Sequence, residues 1–179
     1  VNIFVSIAVN YILKIKTYEK MFLVSKMNFE YGKKIKELRE KENISQAELA
    51  NALNITRSAI NQFEQQYDII PIKRLNEIAN YFGVSIDYLF DLTDIKKYSN
   101  SQKEIDMEVS SKRLKEFRKE NKLTQDKLAQ KLNISRSIIA FHENKRTVIG
   151  TPFLYELCKK YHVSADYLLG KTNEPQELS

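Results

Sequence analysis

The chain repeats itself once. Shifting it by 79 positions lays residues 32–92 over residues 111–171 without a gap, and about a third of the aligned positions are identical. A period this long, seen twice, argues for two whole domains rather than a stacked solenoid. Each unit has about 60 residues, a size at which a domain buries only ~60% of its unfolded surface and is marginal alone.

The densest part of the repeat is SQAELANALNITRSAINQFE at residues 45–64, answered by TQDKLAQKLNISRSIIAFHE at residues 124–143. Leu49, Ala50 and Leu53 fall on one helical stripe, and Ile60 and Phe63 on a second. Ser45 and Glu48 have the spacing of a capping box. Asn54 tolerates the left-handed conformation of a sharp turn, and Thr56 suits the cap of the next helix. The small Ala50 allows that helix to cross closely. Two short helices, a tight turn and a polar outer face on the second helix describe a helix-turn-helix.

The whole pattern resembles the Cro and phage-repressor type of helix-turn-helix protein, the XRE type. In the first unit the resemblance is carried by Leu38-Arg39, Ser45-Gln46, Leu49-Ala50, Leu53-Asn54-Ile55, Arg57-Ser58, Ile60, Glu64 and residues 84–89, VSIDYL. In the second it is carried by Phe117-Arg118, Thr124-Gln125, Leu128-Ala129, Leu132-Asn133-Ile134, Arg136-Ser137, Ile139, Glu143 and residues 163–168, VSADYL. It implies an all-α fold of two lambda-repressor-like, five-helix DNA-binding domains in tandem.

In chain order, residues 1–26 read as an N-terminal extension or a mis-called start, with Val1, Met21 and Met27 as candidate beginnings. The apolar run at residues 1–13 is shorter than the ~20 residues of a spanning helix and has no basic segment before it, as a signal peptide would. Domain 1 covers 27–92. Its first helix faces Ile35 and Leu38 inward, Pro71 opens the fourth, Gly83 stops it, and Ser85 caps the fifth. Residues 93–109 read as a linker, domain 2 as 110–171, and residues 172–179 as a polar tail. Seventeen flexible residues would span ~20–25 Å on average and about 55 Å when stretched. That reaches between major-groove faces one DNA turn apart, ~34 Å, and leaves a direct-repeat operator open.

The resemblance also assigns roles. Gln46 and Gln125, opening the second helix of each domain, would meet phosphates. Thr56, Arg57, Ser58, Asn61 and Gln62 would read bases from the third helix of domain 1. Ser135, Arg136, Ser137, Ala140 and Phe141 would do so in domain 2, where Phe141 replaces a polar reader and faces either a thymine methyl or protein. Lys145 and Arg146 are expected phosphate contacts. Arg39 with Glu64, and Arg118 with Glu143, match a buried structural ion pair. The family's usual Glu-Asn-Gly after the third helix is missing here, so that helix is expected to run on by a residue or so.

Charge favours the same partner, unevenly. Net charge is +6. Residues 31–92 hold 8 Lys/Arg against 9 Asp/Glu, or −1, whereas residues 110–171 hold 14 against 6, or +8. The second domain thus carries the footprint of a polyanion binder. One cysteine, Cys158 on a core stripe, excludes a disulfide framework and fits a reducing cytoplasm. His142 and His162 read as ordinary helix-surface or helix-end residues. The sequence offers no nucleophile–base pair, metal set, cofactor motif, membrane span or ligand-sensing domain. The expectation is a cytoplasmic, prokaryotic, non-enzymatic regulator of transcription, a repressor, that binds double-stranded DNA; homodimerisation is left open. The alternative is an antitoxin- or anti-repressor-like protein in which domain 1 binds a partner or dimerises and only domain 2 binds DNA.

Overall fold

A computed structural model describes residues 31–175 and Leu178. The expected N-terminal extension, residues 1–26, lies outside the described residues. Those residues form ten helices: α1 (Tyr31–Lys41), α2 (Gln46–Ala52), α3 (Arg57–Glu64), α4 (Ile72–Phe82), α5 (Ile86–Leu89), α6 (Met107–Glu120), α7 (Gln125–Lys131), α8 (Arg136–Glu143), α9 (Thr151–Tyr161) and α10 (Ala165–Leu168). No strand occurs among them, and no helix is long and apolar enough to cross a membrane.

Local chemistry sets the boundaries. Ser45 and Glu48 form the capping box, Ser45 Oγ accepting the Glu48 N–H while Glu48 accepts the Ser45 N–H. Thr56, Ser85, Thr124 and Ser164 cap the helices they precede. Gly83 ends α4 in the left-handed region at φ 63°. His162, its counterpart after α9, takes the same conformation at φ 53° and is exposed at the helix end. Gly32 allows α1 to cross α3: a Cβ there would stand 2.6 Å from the Phe63 carbonyl oxygen.

Each domain has an apolar centre, Ile35, Leu49, Ile60, Leu75 and Ile78 in the first and Leu114, Leu128, Ile139, Leu154 and Leu157 in the second. Cys158 is buried among the latter. These centres belong to one continuous core, because the domains dock through α5 and α10. The Asp87 N–H donates to Asp166 Oδ2 at 2.9 Å, and the Ala165 N–H donates to Asp87 Oδ1 at 2.6 Å. Asp87 and Asp166 are the same position in the two repeats, 79 residues apart. Reciprocal contact between equivalent surfaces marks an isologous interface; here it holds to within one residue, making the docking an approximate two-fold. Phe90 and Tyr155 stack edge to face with centroids 5.3 Å apart, and Thr151 Oγ1 donates to the Ile70 carbonyl.

The segment joining the domains is not the free tether that its polar composition predicts. Tyr98 is buried and donates to Asp87 Oδ2 at 2.9 Å. Asn76 and Asn80 both donate to the Lys103 carbonyl at 2.9 Å, while the Gln102 and Asp106 N–H groups donate to Lys171 and Leu169 of domain 2. Backbone groups of the segment are thus paired with both domains, with side chains and a backbone N–H of domain 1 and with carbonyls of domain 2. Arg113 of α6 stacks on Tyr167 of α10 and donates to the Thr172 carbonyl and Asn173 beyond it, and the buried Leu178 donates its N–H to the His162 carbonyl.

The docked carboxylates carry a pH dependence. Burial pushes the Asp87 carboxyl up. Burial, and then the charge of Asp87, raise that of Asp166 from 3.8 to about 7, against the pull of Lys171. Asp166 Oδ1 has no hydrogen-bond partner among the described residues. A folded-state pKa above the unfolded value means the fold binds the proton more tightly. The contribution is therefore fullest below the unfolded pKa and is lost as pH rises through the folded one, at up to ~1.4 kcal/mol per pH unit for one proton. Asp166→Asn keeps an acceptor for the Asp87 N–H and removes one charge. Relative to wild type, urea midpoints should show the variant gaining stability as pH rises from about 4 to about 7 and gaining none at lower pH.

Candidate nucleic-acid interface

The turn of each helix-turn-helix is closed by a backbone bond, Ile55 N–H to the Ala50 carbonyl at 2.9 Å and Ile134 N–H to the Ala129 carbonyl at 3.0 Å. Asn54 and Asn133 sit in the left-handed region at φ 51° and 52°. In domain 1 this turn presents Thr56, Arg57, Ser58, Asn61 and Gln62 to solvent on one side of α3, while Ile60, Phe63 and Glu64 are buried. Gln46 joins Arg57, Ser58 and Asn61 around a shallow cleft of ≈ 320 Å³. These side chains combine a guanidinium with amides and hydroxyls, the donor and acceptor types that pair with base edges and phosphate oxygens.

Domain 2 places its expected readers on the matching face with different chemistry. Ser135 does not cap α8; its hydroxyl meets that of Ser137 at 2.7 Å. Arg136 faces Asp126 at 3.5 Å, both well exposed, and such a pair is weak. Ala140 is half-buried and Phe141 is exposed, with the Arg146 guanidinium 5.7 Å from its ring centroid. Lys145 is ion-paired to Glu108 of α6, so meeting a phosphate requires it to leave that carboxylate. Ile138, not anticipated as a surface residue of α8, is also exposed. Its counterpart in α3 is the half-buried Ala59, and comparing the two repeats position by position would have flagged it.

Behind each face lies the same buried hub. Arg39 Nε and Nη2 donate to the two Glu64 oxygens at 2.6 and 3.1 Å, and Nη1 donates to the Ile44 carbonyl. Arg118 repeats this on Glu143 at 2.5 and 2.8 Å and on the Leu123 carbonyl. Bidentate geometry of this kind fixes orientation as well as distance. Gln46 and Gln125 are drawn in, each giving an amide N–H to the same carboxylate at 2.9 and 3.0 Å. One N–H of each expected phosphate ligand is thus already engaged. Burial works against the Glu143 charge, yet Arg118 and Gln125 hold its carboxyl below the usual range. The hydrogen bond to Glu143 in turn raises Arg118.

Two expectations need correction. The third helices do not run on: α3 ends at Glu64 and α8 at Glu143. Gln66 and Lys145 take the left-handed conformation at φ 56° and 58°, where the family's glycine would serve, and that terminates the helix without one. His142 is not a surface residue. It is 1% exposed, with Ser110 Oγ at 3.3 Å and the Thr147 carbonyl oxygen at 3.0 Å from its ring nitrogens. It occupies the inward position of Phe63, and burial pushes its pKa down. Among the described residues no cluster of His, Cys, Asp and Glu has the makings of a metal site.

Comparison with known proteins agrees with this geometry. A family model described as helix-turn-helix matches residues 35–89, and one described as a helix-turn-helix domain matches residues 111–174. Over 63 residues the chain is 38% identical to YobD, named an uncharacterized HTH-type transcriptional regulator, of Bacillus subtilis strain 168; this covers 35% of the chain and 56% of that protein. Over 66 residues it is 33% identical to ImmR, an HTH-type transcriptional regulator of the same organism, covering 37% and 52%. The chain spans about half the length of these curated relatives. No solved structure matches it significantly.

The hub generates a stability prediction. Arg39→Met strands the Glu64 carboxylate, whose side chain is 1% exposed, and should cost about 3–5 kcal/mol in urea unfolding. Adding Glu64→Leu should recover most of that loss, because the cost lies in the uncompensated charge.

Proposed function

We propose that this chain, which belongs to the XRE-type helix-turn-helix family and carries two such domains in tandem, is a regulator of transcription that binds duplex DNA as a single-chain pseudo-dimer. In this reading α3 and α8 enter successive major grooves, and occupancy of the operator represses. The reciprocal docking of α5 on α10 through Asp87 and Asp166 carries the reading. It holds the two reading helices in a set relation, which a loose tether could not do.

An approximate two-fold between domains favours an inverted pair of boxes over a direct repeat, since the symmetry of the site follows that of the protein. Because α3 and α8 differ in sequence, the boxes differ too, and the operator is a palindrome in geometry only. No second chain is needed to complete it. Domain 2 supplies more of the affinity, through its net +8, and domain 1 more of the selectivity, through Arg57, Asn61 and Gln62. The single buried Cys158 suits a reducing cytoplasm. The near-neutral charge of residues 31–92 favours a second reading, in which domain 1 engages a protein partner and only domain 2 touches DNA.

Selection of bound duplexes from a random pool by the full chain tests both. The expected product is two unequal inverted boxes occupied by one chain per site. A single box, a direct repeat or two chains per site would count against the pseudo-dimer. Arg57→Ala should relax base choice in one box. Arg146→Ala should weaken all sites alike and reduce the log–log salt slope by about 1. An unchanged selection with Arg57→Ala and Gln62→Ala combined would favour the second reading.

A further inference from the structure

We propose that α8 reads thymine methyl groups, so that one box of the operator is recognised in part by apolar contact, where the other is recognised by hydrogen bonds. The inference rests on the DNA-binding reading above and names the chemistry of its second half.

The two reading helices are superposable by the 79-residue shift, and they diverge on the outer face. Ala59, Asn61 and Gln62 in α3 become Ile138, Ala140 and Phe141 in α8. Ile138 and Phe141 are 42% and 44% exposed. Three residues apart on a helix, they lie on one side of it, while Ile139, His142 and Glu143 point into the domain. Neither side chain can satisfy a base-edge donor or acceptor. The C5 methyl of thymine is the apolar group that the major groove displays, and it is the one they can meet with gain. Opposite guanine, cytosine or adenine edges they would strip water from polar atoms and give nothing back.

Charge selects DNA as the occupant. The apolar pair lies between Arg136 at the start of α8 and Arg146 just after it, with the Arg146 guanidinium over the Phe141 ring. The domain around it carries 14 Lys/Arg against 6 Asp/Glu. Apolar side chains flanked by cations match a row of methyl groups flanked by phosphates. An apolar protein surface would leave those cations desolvated and without partners.

Deoxyuridine differs from thymidine by that methyl alone, which makes the test direct. The selected operator is resynthesised with deoxyuridine for thymidine in one box at a time, and full-chain affinity is measured against the unmodified duplex. The box read by α3 is identified as the one where Arg57→Ala relaxes base choice. In the other box each contacted methyl removed should weaken binding about fourfold, while substitution in the α3 box should change it less than twofold. The Ile138→Ser, Phe141→Gln double variant should bind the unmodified and uracil-containing duplexes equally well. Full-strength binding to uracil in both boxes, or uracil sensitivity that persists in the double variant, overturns the proposal while leaving DNA binding intact. Failure to bind even the unmodified duplex overturns the DNA-binding reading and this inference with it.

Discussion

One carboxylate joins three parts of this chain. Asp87 takes a hydroxyl from Ser164 and a backbone N–H from Ala165 in domain 2, and a phenol from Tyr98 in the connecting segment. Its own N–H goes to Asp166. A buried charge without such donors would be prohibitive; with them it is a specific address, because an apolar contact of the same area would accept many orientations. The direction in which the reading helices of both domains point follows from this docking. A second address lies alongside, where the buried Lys171 ammonium reaches Asn76 and Asn80 of α4. Burial pushes that lysine down, while Asp166 pulls it back towards its charged form.

The repeat explains why such an interface exists at all. Two copies of one fold expose the same fifth helix, and that helix offers the same short acidic residue near its start. Equivalent surfaces meet across an approximate two-fold, as in a homodimer. The copies then diverge where the two-fold does not demand identity. Tyr155 and Asn76 are one position in the repeat, yet the first packs on Phe90 while the second hydrogen-bonds the connecting segment and Lys171. Gly83 and His162 close equivalent helices with the same left-handed turn.

Much of this was legible in the sequence, because the signals were local and doubled. Capping residues, the Asn54 and Asn133 turns and the core stripes depend on spacing along one helix or on a pattern seen twice, and the Arg–Glu pairs are implied by the family resemblance. The docking was not legible. Asp87 and Asp166 follow Ser85 and Ser164 at the start of a helix, where an acidic residue needs no further explanation. Only the fold brings two such starts together and hides them from water. Tyr98 likewise stands among Lys97, Ser99 and Asn100, a composition that reads as exposed coil; one buried aromatic ring overrides it. The polarity of His142 points to the surface, yet its alignment with the buried Phe63 places it inward. Gln66 and Lys145 show that a left-handed helix end can be met without glycine at a cost of ~1–2 kcal/mol, less than burying an unterminated helix end would require.

Covalent linkage also changes what the reading helices are allowed to be. In a homodimer every substitution on the reading helix occurs twice, so both half-sites must change together. Here Gln62 and Phe141, or Ala59 and Ile138, vary independently, and under the proposed reading an apolar face is confined to one half of the operator. Linkage further removes the loss of translational freedom that dimerisation would impose, since the second domain is held at high effective concentration beside the first. The packed connecting segment carries this further than a flexible chain could. The bonds from residues 95–103 to both domains are formed before any DNA arrives, so the ordering cost falls on folding rather than on binding. In the proposed reading, the second box is placed by the first, and the cations around α8 add to its hold.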